Sequence, residues 1–206
     1  MILTIVFGVG SGVLMAVKKD RLLDHVLGTF STVALSVPGF WIAIVLIFIF
    51  AEQWKILPSS GISDGSGFIL PAITLALPSI GVCARLTRSA ILDEIGRQYM
   101  TVADAKGMSR RRAVIRHAYG NALIPIITYL GNHLAGIIGG ASIVETIFAI
   151  PGIGSYAIAG VQSKDYYVVQ AYVLFSGCIY VLTNILIDLI YIALDPKIRA
   201  GEAVES

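Results

Sequence analysis

Five long apolar runs dominate this chain. Each run is near the ~20 residues that a helix needs to cross the hydrocarbon core of a bilayer. Only 14% of the residues are charged, whereas soluble proteins contain about 25%. We therefore predict an all-α integral membrane protein, with about five transmembrane helices and a single domain over residues 1–206. The predicted spans are 1–17, 26–50, 68–84, 123–148 and 167–194.

The basic residues between these runs indicate an orientation. Thirteen of the fifteen Lys and Arg residues lie in 18–25, in 85–122 and in the tail from 195, and two lie in the other connecting segments. Because basic residues collect on the cytoplasmic side, we predict an outside N-terminus and a cytoplasmic C-terminus. The first basic residues follow the first apolar run, so no cleavable signal peptide is predicted.

The long basic segment, 85–122, holds eight of these residues and also carries local signals of structure. Apolar residues recur at helical spacing over Ile91–Ala105, which predicts a short amphipathic helix. Lys106 and Gly107 indicate its end, since glycine enters the left-handed conformation without a side-chain clash. Ser109 is a candidate N-cap of a second helix, Arg110–Ala118. Membrane anchoring would also explain the basic charge of this segment, but anchoring does not require the ordered turn at Lys106 and Gly107.

The same segment contains two longer patterns, A-x-A-K-G-x-S and R-H-A-x-x-N-A-L-I-P. Together they resemble the cytoplasmic loop of ABC importer permeases, and more narrowly that of the oligopeptide, dipeptide and nickel branch. In that family the loop forms a coupling helix that docks onto the ATP-hydrolysing subunit. The resemblance implies the same coupling role here for Ala103, Ala105, Lys106, Gly107, Ser109, Arg116, His117 and Asn121.

Three more motifs are similar to elements of this family. They are S-x-P-x-F-W around Pro38, G-G-x-x-x-x-E-x-x-F-x-x-P-G-x-G around Glu145, and N-x-x-x-D-x-x-Y-x-x-x-D-P with Asn184 and Asp188. Members of the family usually begin with a further transmembrane helix and a sizeable outer domain. The resemblance therefore implies that this sequence lacks that part.

Polar residues inside the apolar runs are candidates for function, since a charge in hydrocarbon costs at least ~2.5–3.5 kcal/mol. Glu145 has two open roles: a translocation path or gate, and a satisfied structural carboxylate. His133 is likewise open between relaying a metal on the path and a single hydrogen bond between helices.

Four other residues in the apolar runs are assigned structural roles. Pro38 removes a backbone donor and should bend its helix, and Pro125 closes the second loop pattern. Asn184 and Asp188 are one turn apart and should bond a neighbouring helix.

No catalytic or metal site is predicted. The chain has no G-x-x-x-x-G-K-[ST] loop and no H-E-x-x-H motif, and Cys83 and Cys178 lack partners at ligand spacing. We therefore expect no cofactor on this chain, with ATP and Mg bound by partner ATPase subunits.

The resemblance implies a permease subunit of an ATP-driven importer for peptides, nickel or metal chelates, in a bacterial or archaeal cytoplasmic membrane. Expected partners are a second homologous permease, two ABC ATPase subunits, an extracytoplasmic substrate-binding protein and membrane lipid, but no nucleic acid. The first alternative is a secondary transporter or channel driven by an ion gradient through Glu145 and Asp188. An intramembrane enzyme is the second alternative, for which the sequence offers no paired nucleophile and base.

Overall fold

The computed structural model describes residues 1–62, 65–97 and 119–194, and within them every regular element is a helix. The predicted coupling residues Ala103, Ala105, Lys106, Gly107, Ser109, Arg116 and His117 lie outside the described residues. In chain order the helices are α1 (Thr4–Val17), α2 (Leu22–Ser36), α3 (Gly39–Gln53), α4 (Ile69–Ile95), α5 (Tyr119–Ile138), α6 (Ser142–Ile147), α7 (Ile153–Gln162) and α8 (Tyr166–Leu194). Parts of α1 and α3 have π-helical geometry, over Thr4–Val9 and Ile47–Gln53.

Two of the described helices are long and apolar enough to cross a membrane. They are α4 with its preceding 3₁₀ turn, Gly65–Ile95, and α8 over Tyr166–Ile190. A third span results if α2 and α3 count as one, and α1 and α5 are apolar but shorter. The fold is therefore all-helical with two to three apolar spans among the described residues, and the five boundaries drawn from hydropathy stay a prediction.

The predicted second run consists of two helices that meet at Pro38. Val37 has extended backbone angles, φ −88° and ψ 125°, because the proline ring disfavours the helical conformation in the residue before it. The axes of α2 and α3 are bent by 99° across this break.

The predicted fourth run, 123–148, is not one continuous helix. Helix α5 ends at Ile138 and α6 begins at Ser142. Gly140 between them has a φ of +106°, a conformation that side chains strongly disfavour. The expectation of one unbroken helix over this run is therefore wrong. Hydropathy measures the apolar character of side chains and does not indicate where the backbone needs a positive φ.

The helix predicted over Ile91–Ala105 also differs from the structure. Ile91–Ile95 are the last residues of α4, which begins far upstream at Ile69. Gly96 follows, and the N–H of Arg97 bonds the carbonyl of Glu94 at 3.3 Å. This shorter-range bonding is typical of a helix end. A helix that runs through Gly96 is therefore wrong.

Helix α4 lies at the centre of the bundle, where α1, α2, α3 and α5 all contact it. Glycines allow the closest of these contacts. A Cβ atom on Gly12 of α1 would lie 2.6 Å from the carbonyl oxygen of Ala84, and one on Gly81 of α4 would lie 2.7 Å from that of Ser31. Small residues thus bring the helix backbones together, as they do in membrane bundles generally.

Candidate functional site

Glu145 lies on the short helix α6 and ties it to α7. Its Oε1 accepts a hydrogen bond from the N–H of Ala141 at 3.1 Å, where α6 begins. Its Oε2 accepts one from the N–H of Ser155 at 2.8 Å, in the first turn of α7. The first N–H groups of a helix have no partner within the helix, and the positive end of the helix dipole favours an anion. One carboxylate therefore accepts hydrogen bonds from backbone N–H groups at the starts of two helices.

The glycines of the same motif make room for this arrangement. A Cβ atom on Gly152 would overlap the carboxylate of Glu145, and one on Gly154 would lie 2.7 Å from the Cα of Ser142. A Cβ atom on Gly140 would lie 2.8 Å from the backbone nitrogen of Gly154. The glycines and the glutamate of the motif therefore pack together in one unit, which we call the α6–α7 unit (residues 140–162).

Further bonds fix this unit internally and to the rest of the bundle. The hydroxyl of Ser155 accepts a hydrogen bond from the N–H of Gly152 at 3.0 Å and lies 2.9 Å from the carbonyl of Ile150, to which it donates. The N–H of Gly61, in the loop after α3, donates to the carbonyl of Phe148 at 2.8 Å. The side chain of Phe148 is fully buried.

An open groove of about 360 Å³ runs beside the α6–α7 unit and has Glu145, Pro151 and Gln162 in its lining. The two bonds of Glu145 are those of a structural carboxylate. Its role in a path or gate stays a prediction.

His133 lies on α5 and contacts α4. Its Nδ1 is 3.4 Å from the Oγ of Ser79, and its ring is parallel to that of Tyr129 with the centroids 6.0 Å apart. The hydroxyl of Tyr129 in turn donates to the carbonyl of Ser79 at 3.1 Å. The Nε2 of His133 is buried and has no hydrogen-bond partner among the described residues.

No cluster of three or more His, Cys, Asp or Glu side chains able to hold a metal occurs in the described part of the chain. The contact of His133 with Ser79 joins two helices. A place on the translocation path stays a prediction for His133.

An ion pair that the sequence did not indicate joins the start of α2 to α4. Arg88 donates from Nε to Oδ1 of Asp24 and from Nη2 to Oδ2, both at 2.7 Å. The N–H of Asp20 donates to the same Oδ2 at 3.0 Å. Asp24 is 5% exposed, while the side chain of Arg88 is 30% exposed. The acidic Asp24 among the apolar residues of α2 was a signal in the sequence for a buried ion pair. Its partner could not be identified in the same way, because Arg88 is 64 positions away.

The remaining predicted residues are spread over α5 and α8. Asn121 lies in the first turn of α5, and Pro125 lies inside the same helix. Asn184 and Asp188 are exposed on α8. Within 1–62, 65–97 and 119–194 no hydrogen bond or ion pair to either side chain is found, and a bond from this pair to a neighbouring helix stays a prediction.

Apolar helices pack around α4, and two to three apolar spans occur among the described residues. Residues 8–200 match the family described as "Binding-protein-dependent transport system inner membrane component". The match covers most of the chain, and the chain belongs to this family. It is therefore an integral membrane protein of the cytoplasmic membrane.

Two curated relatives are similar to this chain along nearly its whole length. It is 40% identical over 207 residues to the probable peptide ABC transporter permease protein y4tP of Sinorhizobium fredii, covering 97% of this chain and 66% of that protein. It is 34% identical over 199 residues to the glutathione transport system permease protein GsiC of Escherichia coli, covering 97% of this chain and 65% of that protein. The chain thus spans just under two thirds of the length of these relatives.

The fold is also found in a solved transporter. A chain of the MetNI methionine ABC transporter, in inward-facing conformations, superposes with a TM-score of 0.71. The superposition covers 94% of this chain and 88% of that chain, at 17% sequence identity. At this identity the likeness confirms the all-helical fold and carries no statement about substrate.

Proposed function

We propose that the protein containing this chain is a permease subunit of an ATP-driven importer for peptides, with glutathione among the substrates to test. The observation that carries the proposal is the family match over residues 8–200. It is supported by relatives at 40% and 34% identity that are named for peptide and glutathione transport. Nickel is named for neither of these two relatives, so we do not propose nickel as the cargo.

The proposed division of labour places ATP hydrolysis on partner subunits. This chain contributes the helices of the path and the basic segment 85–122, in which Ala103–Ser109 would dock onto an ABC ATPase. Closure of two ATPase subunits would move this segment, and the helices on either side would transmit the displacement. Neither state of the path has to bind substrate strongly, provided that ATP distinguishes the two states.

The exposed polar pair on α8 supports a second permease subunit. Asp188 and Asn184 are exposed in a helix that is otherwise strongly apolar. A carboxylate facing lipid is costly, and such groups normally face protein or water. The face of α8 that carries this pair is therefore well suited to contact a second, homologous permease across the path.

The proposed topology follows the distribution of basic residues. The segments 18–25, 85–122 and 195–206 would lie in the cytoplasm, and the α6–α7 unit would lie at the outer surface. There it would be accessible to an extracytoplasmic substrate-binding protein, which would deliver the cargo.

Co-purification with ABC ATPase subunits tests the proposal. We expect the wild-type permease to capture ATPase subunits encoded with it, and a variant with Ala103–Ser109 replaced by a Gly-Ser linker to lose them. A variant in which residues 200–206 are replaced by such a linker is the matched control and should retain them. Equal capture by both variants would contradict the coupling role. Peptide uptake by the permease alone, driven by an ion gradient, would favour the secondary transporter.

A further inference from the structure

A groove of about 550 Å³ opens between α2 and α4, beside the ion pair of Asp24 and Arg88. Helix α2 contributes His25 and Thr29 to its lining, and α4 contributes Arg85. The groove is separate from the α6–α7 unit and from His133, and none of its lining residues lies in Ala103–Ser109.

Two groups in this groove are free to bind a ligand. Arg85 is exposed and has no ion-pair partner in the described part of the chain. Thr29 is also exposed, and its hydroxyl makes no hydrogen bond to a described residue. By contrast, Thr32 and Ser89 in the same lining already donate, to the Gly28 carbonyl and to the Asp93 carboxylate. A guanidinium and a hydroxyl that line one groove are donors that suit an oxyanion, since guanidinium binds phosphate in a bidentate manner.

The surrounding charge also favours an anion. Five cations lie in the turn between α1 and α2 and on α4 beside the groove, against three acids, Asp20, Asp24 and Asp93, the last of which accepts a hydrogen bond from Ser89 in the lining. Asp24 is already held by Arg88 at 2.7 Å. The cations are Lys18, Lys19, Arg21, Arg85 and Arg88.

The depth of the groove matches that of lipid phosphates. Arg85 follows Phe68, the residue before α4, by 17 positions, which is roughly 25 Å at the rise of a helix. The hydrocarbon core is about 30 Å thick. Arg85 therefore lies close to the end of the core, where the headgroups begin. With the proposed topology this is the cytoplasmic leaflet, whose anionic lipids attract basic groups.

We propose that this groove binds the phosphate group of an anionic phospholipid, with Arg85 pairing to the phosphate and Thr29 donating a hydrogen bond to it. The acyl chains would lie along the exposed apolar side chains of α2, among them Val26, Phe30 and Val33. The bound lipid would fill the space between α2 and α4 next to the ion pair.

Native mass spectrometry of the purified full-length permease tests this proposal. The protein is titrated in detergent with phosphatidylglycerol or with phosphatidylcholine, which carries the same phosphate but no net charge. We expect wild-type protein to bind phosphatidylglycerol about tenfold more tightly. Arg85→Gln should remove this preference and Thr29→Val should weaken it, whereas the control Arg97→Gln, an exposed arginine outside the groove lining, should keep it.

A second readout guards against misfolding of the variants. Phosphatidylglycerol should raise the melting temperature of wild type and Arg97→Gln but not of Arg85→Gln, since a ligand stabilises only the state that binds it. Equal binding of the two lipids, or an unchanged preference in Arg85→Gln, would overturn the proposal. Complete displacement of the lipid by millimolar inorganic phosphate would assign the groove to a free anion and would overturn the lipid as its source.

Discussion

The carboxylate of Glu145 and the backbone N–H of Ser155 lie 2.8 Å apart, although the two residues belong to different helices. The other oxygen of the same carboxylate bonds the N–H of Ala141. Charged acceptors at the starts of two helices hold α6 and α7 in one orientation, with Gly152 beside the carboxylate. The glutamate of this motif therefore has a physical reason to be acidic that does not depend on contact with cargo.

Replacing Glu145 with Gln should destabilise the α6–α7 unit. The amide retains one acceptor oxygen, so one of the two N–H groups would face an NH₂ group. We expect a loss of about 1–3 kcal/mol in the free energy of unfolding, measured as a lower melting temperature in detergent. Glu52→Gln, at an exposed position, is the control for removal of one charge and should melt as wild type. Identical melting of both variants would contradict the double capping role.

A comparison of two glycines on α1 tests the packing against α4. In Gly12→Ala the new Cβ atom would lie 2.5 Å from the Cβ of Thr87, so the helices must separate. Overpacking of this kind costs about 1–3 kcal/mol. Gly10→Ala places its Cβ atom where nothing lies within 4 Å, and it should stabilise the helix by up to about 1 kcal/mol. The two melting temperatures should therefore shift in opposite directions, and equal shifts would refute the close contact.

The pair of Asp24 and Arg88 should show strong coupling in a double-mutant cycle. Asp24→Asn leaves a partly buried guanidinium without its counter-ion, and Arg88→Gln leaves a buried carboxylate without its bidentate donor. We expect a coupling energy of about 1–3 kcal/mol between the two substitutions. Arg97→Gln serves as the comparison, because the side chain of Arg97 is 65% exposed where it meets the buried carboxylate of Glu94, and screening by solvent weakens such a contact. Additive effects of the two substitutions would show that the pair is not formed.

Cysteine labelling tests the proposed topology. Ser60→Cys lies in the loop after α3 and Lys19→Cys in the turn after α1, and both positions are exposed. In a Cys178→Ser background, a membrane-impermeant maleimide should label Ser60→Cys in intact spheroplasts. Lys19→Cys should be labelled only after permeabilisation, and the buried native Cys83 should stay unlabelled in both. The reverse pattern would invert the orientation and place the basic segment outside.

The membrane class and the fold were predictable because apolar length and charge placement are properties of short stretches of sequence. The four-residue spacing of Gly8 and Gly12 is also typical of close helix contacts in membranes, and both glycines do face α4. Long-range pairing was not predictable. Nothing in the sequence joins Asp24 to Arg88, because a single sequence does not show which faces of two helices meet.

The break between α5 and α6 was missed for a different reason. Gly139 and Gly140 were visible within an apolar run, and a pair of small residues is common in membrane helices, where it favours packing. Gly140 has a positive φ, and the backbone of Gly154 in α7 lies against it, so a side chain at position 140 would be excluded on both grounds. The need for glycine at this position thus comes from contact with a segment that the hydropathy pattern predicts as a separate loop.

The most direct test of the account is uptake by a reconstituted complex that carries Gly107→Val. The sequence predicts a left-handed turn at Gly107 in the proposed coupling segment, a conformation in which a β-branched residue is strongly disfavoured. We expect this variant to reach the membrane and to lose ATP-driven peptide uptake, whereas Gly177→Ala on α8, where a Cβ atom has open space, should transport as wild type. Normal peptide uptake by Gly107→Val would contradict the claim that this segment couples ATP hydrolysis to transport.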